Sequence, residues 1–113
     1  MSNFRVTNLD EYQSRAVMTA LSSAMDLNYL APGLAAEAGE VAGKWAKAVR
    51  DNEGILTNEK REELLKEVGD TLWFLALICE LLSDDLSNVA SNNIDKLFDR
   101  QKRGVLGGSG DNR

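Results

Sequence analysis

The sequence predicts an all-α domain. Apolar residues recur at three- and four-residue spacing, alternating apolar and polar runs are almost absent, and Pro32 is the single proline. A length of 113 residues fits one domain with a modest core. That domain is expected over 1–104, followed by a flexible glycine-rich tail at 105–113. There is no internal repeat and no linker to a second domain.

Four helices account for the pattern. The first runs from about Leu9 to Ser22, with Asn8 as N-cap and Glu11 completing a capping box. Leu9, Tyr12, Ala16, Val17 and Ala20 give it one apolar face. The second begins near Pro32, a residue suited to a first helical turn, and ends around Asp51, ahead of Asn52 and Gly54. The third follows Thr57 and Asn58 and extends to about Ser83. The fourth starts near Asp84 or Asp85 and stops at Gly104, whose lack of a Cβ suits a left-handed C-terminal position. Beyond it, "GVLGGSGDNR" is mobile unless something binds it, and Arg113 gives it a means of folding over a phosphate.

Composition removes several function classes. The net charge of −5 argues against a nucleic-acid partner, which requires a basic stripe. With no histidine, the chain cannot build a Ser-His-Asp triad, a Cys-His pair, a His-ligated zinc site or the Glu-x-x-His pairs of di-iron bundles. The lone Cys79 cannot form an internal disulfide, which fits a reducing, cytoplasmic setting, and its neighbours Ile78 and Leu81 make it a small buried hydrophobe. Ser2 to Asp10 lacks the apolar core of a signal sequence. The greasiest run, "LWFLALICELL", is broken by Glu80 and too short to span a bilayer, so no membrane association is expected.

Charge placement carries the functional information. At roughly 100° per residue the second helix has three faces. Leu34, Ala38, Val41, Trp45 and Ala48 form a hydrophobic stripe, with Trp45 expected in the core. Ala35, Gly39, Ala42, Gly43 and Ala46 form a strip that another backbone could approach. Glu37, Glu40, Lys44 and Lys47 occupy the third face. On the third helix, Glu63, Glu67 and Asp70 share an azimuth that continues into Phe74, Leu77 and Leu81, so the acids are expected to point inward. Like-charged carboxylates taken from water need compensation, and hard divalent cations such as Mg²⁺ supply it through oxygen ligands. A solvated face of helical charge pairs is the plainer alternative, and the continuation into Phe74 and Leu81 speaks against it. The fourth helix aligns Asn93, Lys96 and Arg100 on one face. Together these suggest a metal-bridged phosphorylated ligand, although Lys96 and Arg100 can also serve simply as cations favoured near a helix C-terminus.

The order Glu37-x-x-Glu40, then Glu67-x-x-Asp70, resembles the MazG type of all-α nucleoside triphosphate pyrophosphohydrolase. So do the surrounding words "GLAAEAGEVAGKWAKAVRD", "LLKEVGDTLWFLA", "NNIDKLFDR" and the earlier "DEYQ". The resemblance implies a four-helix bundle-like fold completed by oligomerisation, as homodimer or homotetramer. It implies Mg²⁺-dependent cleavage of a nucleoside triphosphate to the monophosphate and pyrophosphate by water attack at the α-phosphorus, with Mn²⁺ as a substitute metal. By the same resemblance Glu37, Glu40, Glu67 and Asp70 are metal ligands, and Lys96 and Arg100 hold the triphosphate with help from Asn93. On physical grounds a carboxylate without a direct metal bond would accept the water's proton, with Glu63 and Glu37 as the two candidates. Tyr12, Gln13 and Tyr29 are candidates for a base pocket. Lys44 and Lys47 either reach phosphate or pair with Glu40 and Asp51. Trp73, off the main apolar stripe, is a candidate subunit contact. The alternative functions are a phosphoribosyl-ATP pyrophosphohydrolase, which shares fold and acid pairs, and a non-catalytic nucleotide-binding helical oligomer.

Overall fold

A computed structural model describes residues 4–113; residues 1–3, the start of the expected domain and of the polar Ser2–Asp10 stretch, lie outside the described residues. The helices are α1 (Leu9–Met18), α2 (Leu27–Asn52), α3 (Asn58–Leu81) and α4 (Leu86–Arg103), with a short 3-10 turn at Ser22–Ala24. The fold is all-α, as expected, with no strand among the described residues.

Local sequence explains most helix ends. The Asn8 side chain accepts a hydrogen bond from the Glu11 backbone N–H at 2.8 Å, and Thr57 accepts one from Lys60 N–H at 3.1 Å. Gly104 closes α4 with φ of 73°, a conformation that favours glycine. The start of α2 differs from the sequence expectation. It lies at Leu27, where Asp26 caps the Asn28 N–H at 2.8 Å, and Pro32 sits inside the helix. The proline tolerance of a first turn is a local preference, and here the cap at Asp26 and the burial of Leu30 extend the helix past it. α1 ends earlier than expected, at Met18, where the Thr19 hydroxyl donates to the Ala16 carbonyl at 2.7 Å.

α3 is the central element and packs against α1, α2 and α4. Two buried clusters flank it. Ala16, Ala76, Cys79 and Leu86 form one, with Leu9, Tyr12 and Leu72 against it. Leu30, Phe74 and Leu77 form the other, backed by Val17, Leu34 and Leu81. Trp73 touches both clusters, meets Phe74 edge-on with centroids 5.0 Å apart, and donates its indole N–H to Thr19 Oγ1 at 2.8 Å. The side chain expected at a subunit contact therefore packs within its own chain. Gly33 lets α2 approach this core: a Cβ there would lie 2.2 Å from the Phe74 ring.

Gln13 fastens α4 to α1. Its amide nitrogen donates to Glu80 Oε1 at 3.1 Å and to the Asp84 carbonyl at 3.0 Å, while its oxygen accepts from Leu86 N–H at 2.6 Å. The side chain thus caps α4 from another helix, where Asp85 makes no side-chain cap.

The outer surfaces of α2 depart from expectation. Trp45 is exposed rather than buried, and Ala38 of the same stripe is exposed too. Among the described residues nothing outside the helix's own backbone lies within 4 Å of a Cβ placed at Gly39 or Gly43, so the small-residue strip is open at both glycines. α4 packs on α1 and α3 rather than on α2, which leaves the bundle open on that side. Among the described residues, no helix is long and apolar enough to cross a membrane.

Candidate metal and nucleotide site

The antiparallel packing of α2 on α3 brings together carboxylates that are thirty residues apart in sequence. Glu37, Glu67 and Asp70 each offer an oxygen, and these lie within 4.8 Å of one another. Glu67 and Asp70 are neighbours across one turn, and Glu37 faces them from α2. Glu37 has its pKa raised: it shares a hydrogen bond with Glu67, loses some water, and feels the negative charges of Asp70, Glu67 and, least, Glu40. An all-oxygen set of this kind suits a hard divalent cation.

Glu40, expected as a fourth ligand, is exposed and falls outside this close group. One turn further along α2, Lys44 Nζ lies 3.8 Å from Glu67 Oε1, the cation nearest the cluster among the described ion pairs. Lys47 lies beyond it, in a cleft with Asp51, Thr57 and Lys60. Asp51 itself is held by Arg50 at 2.7 Å. Glu63 is bound to Lys60 at 2.8 Å, and that bond and charge hold its carboxyl below the ordinary glutamate range.

An aromatic cavity of about 430 Å³ opens beside the acids, lined by Tyr12, Tyr29, Glu37, Gly69, Asp70, Trp73 and Phe74. Tyr29 and Phe74 rings lie 5.9 Å apart in a tilted arrangement. Burial, then the charge of Asp70, raises the Tyr12 phenol above its ordinary value, so it stays protonated as a donor. Sequence reasoning placed Phe74 in the core stripe and gave Trp73 a different surface. Their spacing of three and four residues after Asp70 is the signal that puts both one turn above an acid. A groove of similar size, about 450 Å³, lies between the start of α1 and α4, but it joins Asp10 and Asp95 to serines and aliphatic side chains, with no aromatic wall. Volume does not distinguish the two; chemistry does.

Gln13 does not line the aromatic cavity. Both its amide donors and its oxygen are engaged in holding α4, and it is buried, so the expected base-pocket role has no free group to perform it. Asn93 is exposed on α4. Lys96 and Arg100 are bound by the chain's own tail: Asp111 Oδ1 lies 3.1 Å from Lys96 Nζ and 3.4 Å from Arg100 Nη2. No described ion pair joins either cation to the acid cluster.

The model of the MazG nucleotide pyrophosphohydrolase domain matches residues 26–105, which include all three clustered acids and both Lys96 and Arg100 of α4. The chain belongs to the MazG family. A MazG nucleotide pyrophosphohydrolase domain is a hydrolase module acting on nucleotides, which accounts for acids beside an aromatic cavity. The chain is also similar to the Gene 37 protein of Mycobacterium phage L5, 42% identical over 113 residues, an alignment covering 94% of this chain and 99% of the phage protein. No solved structure matches the chain significantly.

Proposed function

We propose that this MazG-family chain hydrolyses a nucleoside triphosphate to the monophosphate and pyrophosphate, with Mg²⁺ or Mn²⁺ held by Glu37, Glu67 and Asp70. Glu40, on the next turn of α2, adds negative charge at the rim. The observation that carries this reading is the contact between the three-carboxylate group and the aromatic cavity. Either alone is common; together they fit a ligand with phosphates at one end and a planar base at the other.

The bound cation would neutralise phosphate charge and make water more acidic at the reacting phosphorus. The chain's own groups do the rest. Tyr29, half exposed and backed by the buried Phe74, offers a ring face for stacking, and the Tyr12 hydroxyl can donate to the base or sugar. The sequence offers Glu63 and Glu37 as proton acceptors: Glu37 fills that role only where the cation leaves it unligated, because a bound cation would hold its oxygens, and Glu63 is paired with Lys60. Lys96 and Arg100 supply positive charge for the phosphates, and Lys44 contributes beside Glu67.

A panel of canonical, deoxy and modified nucleoside triphosphates, incubated with Mg²⁺, tests this directly. Pyrophosphate and the monophosphate are the expected products. Orthophosphate release, or no metal-dependent turnover of any nucleotide, would sink the assignment. Glu67→Gln is expected to lower kcat by at least about a hundredfold while the far-ultraviolet circular dichroism stays helical.

A further inference from the structure

The tail after α4 is folded onto the cations of that helix by specific contacts. The Arg100 guanidinium is only 4% exposed, and its Nη2 donates to the Asp111 carbonyl at 2.6 Å and faces the Asp111 carboxylate at 3.4 Å. Lys96 Nζ meets the same carboxylate oxygen at 3.1 Å. Arg113 staples the loop, donating to the carbonyls of Val105 at 3.1 Å, Leu106 at 3.0 Å and Gly110. Arg103 closes the end by donating to the Arg113 carbonyl at 2.8 Å. Glycines make this path available: Gly110 has φ of 83°, and a Cβ at Gly108 would lie 2.6 Å from Arg113 Cδ.

Charge and hydrogen bonding remain incomplete in this arrangement. Two cations face one carboxylate, and the buried Nε–H of Arg100 has no acceptor among the described residues. A polyphosphate, with more charge and more acceptor oxygens than a carboxylate, would satisfy the same groups better.

We propose that the tail is an internal anion competitor: Asp111 occupies the Lys96–Arg100 pair in the free protein, and a phosphate ligand must displace it. This rests on the reading that Lys96 and Arg100 bind the substrate's phosphates. The tail is covalently joined to α4 through a few residues, so its effective concentration is high while its individual contacts are weak. The Asp111 side chain is 84% exposed, so its ion pairs shift the equilibrium by only about twofold to fivefold. The tail therefore sets a threshold for phosphate binding and yields once phosphate is abundant.

The test measures binding of inorganic pyrophosphate, in Mg²⁺ buffer, by calorimetry on the full chain. Asp111→Asn and Arg113→Ala are each expected to tighten binding about twofold to fivefold, with the gain shrinking at high salt. Hydrogen exchange across 105–113 is expected to rise when pyrophosphate is added to the wild type. Lys96→Ala separates the two levels of the claim. Weakened binding in Lys96→Ala, with Asp111→Asn and Arg113→Ala unchanged from wild type, overturns the tail's role and leaves the phosphate reading standing. Unchanged binding in Lys96→Ala overturns the phosphate reading of α4 and the competitor with it. Undiminished protection of 105–113 at saturating pyrophosphate also overturns the competitor.

Discussion

Glu37 is the residue on which the acid cluster turns. Its pKa is raised because it must share space, and a proton, with Glu67 while facing Asp70. In the metal-free protein the folded state therefore binds this proton more tightly than the unfolded chain does. That contribution to stability is present below the ordinary glutamate value of 4.5 and is lost as pH rises through the raised folded value. Urea titrations without metal should show it as a decline in stability above pH 4.5 that Glu37→Gln flattens; an unchanged slope in that variant would refute the assignment. A divalent cation competes for the same oxygens, so apparent Mg²⁺ affinity should fall as pH drops through this range, with proton release detectable on binding. Part of this was legible: helix spacing put Glu63, Glu67 and Asp70 on one face in a stripe running into Phe74, and the family resemblance added Glu37 and Glu40 from the preceding helix. Glu40 did not join the close group, because its separation of three residues from Glu37 fixes a side of the helix but not the level at which α3 crosses it.

At the scale of elements, two residues hold the frame that presents these acids. Gly33 lies against the Phe74 ring, and an added methyl has no room there. Gly33→Ala should lower stability by roughly 1–3 kcal/mol, because the overpacked ring must shift, and it should disturb the aromatic cavity at the same time. Gln13→Leu removes the hydrogen bonds to Glu80, Asp84 and Leu86 and leaves the first N–H of α4 buried without its acceptor. A loss of about 1–3 kcal/mol is expected, read as a lower urea midpoint. A Gln13→Leu protein with wild-type stability but impaired nucleotide binding would instead restore the base-pocket role. Caps made by a residue three positions away, at Asn8 and Thr57, could be read from the sequence. The cap supplied by Gln13 could not, since its partner lies 73 residues on and only tertiary packing brings them together. The start of α2 was hidden for a related reason: Pro32 is a strong local signal, and the burial of Leu30 that outweighs it is a property of the assembled core.

The molecule as a whole exposes more apolar surface than one chain's needs explain. Its radius of gyration is 16.9 Å, against about 13 Å for a compact domain near this length. Leu65, Val68 and Leu75 of α3 and Trp45 and Val49 of α2 are exposed. Between the two helices an apolar cavity of about 350 Å³ is lined by Ala38, Val41, Val68, Thr71, Leu72 and Leu75. The open glycine and alanine strip of α2 would admit a close helix neighbour, which is why the sequence made α2 look like a core helix on two sides. The wheel marked those faces for packing, but a wheel does not say which chain would cover them, and within the described residues they stand largely open. A second copy covering this surface would account for both the stripe and the exposure. We expect light scattering after gel filtration to give a homodimer or homotetramer, and Val68→Asp, which puts a charge on the groove, to shift it toward monomer. Val68 does not line the aromatic cavity, so a monomeric Val68→Asp protein also shows whether turnover needs the assembly: retained turnover would place all the required groups within one chain. A wild-type protein that is monomeric at micromolar concentration would leave the exposed α2–α3 surface without this explanation and rule out the oligomer.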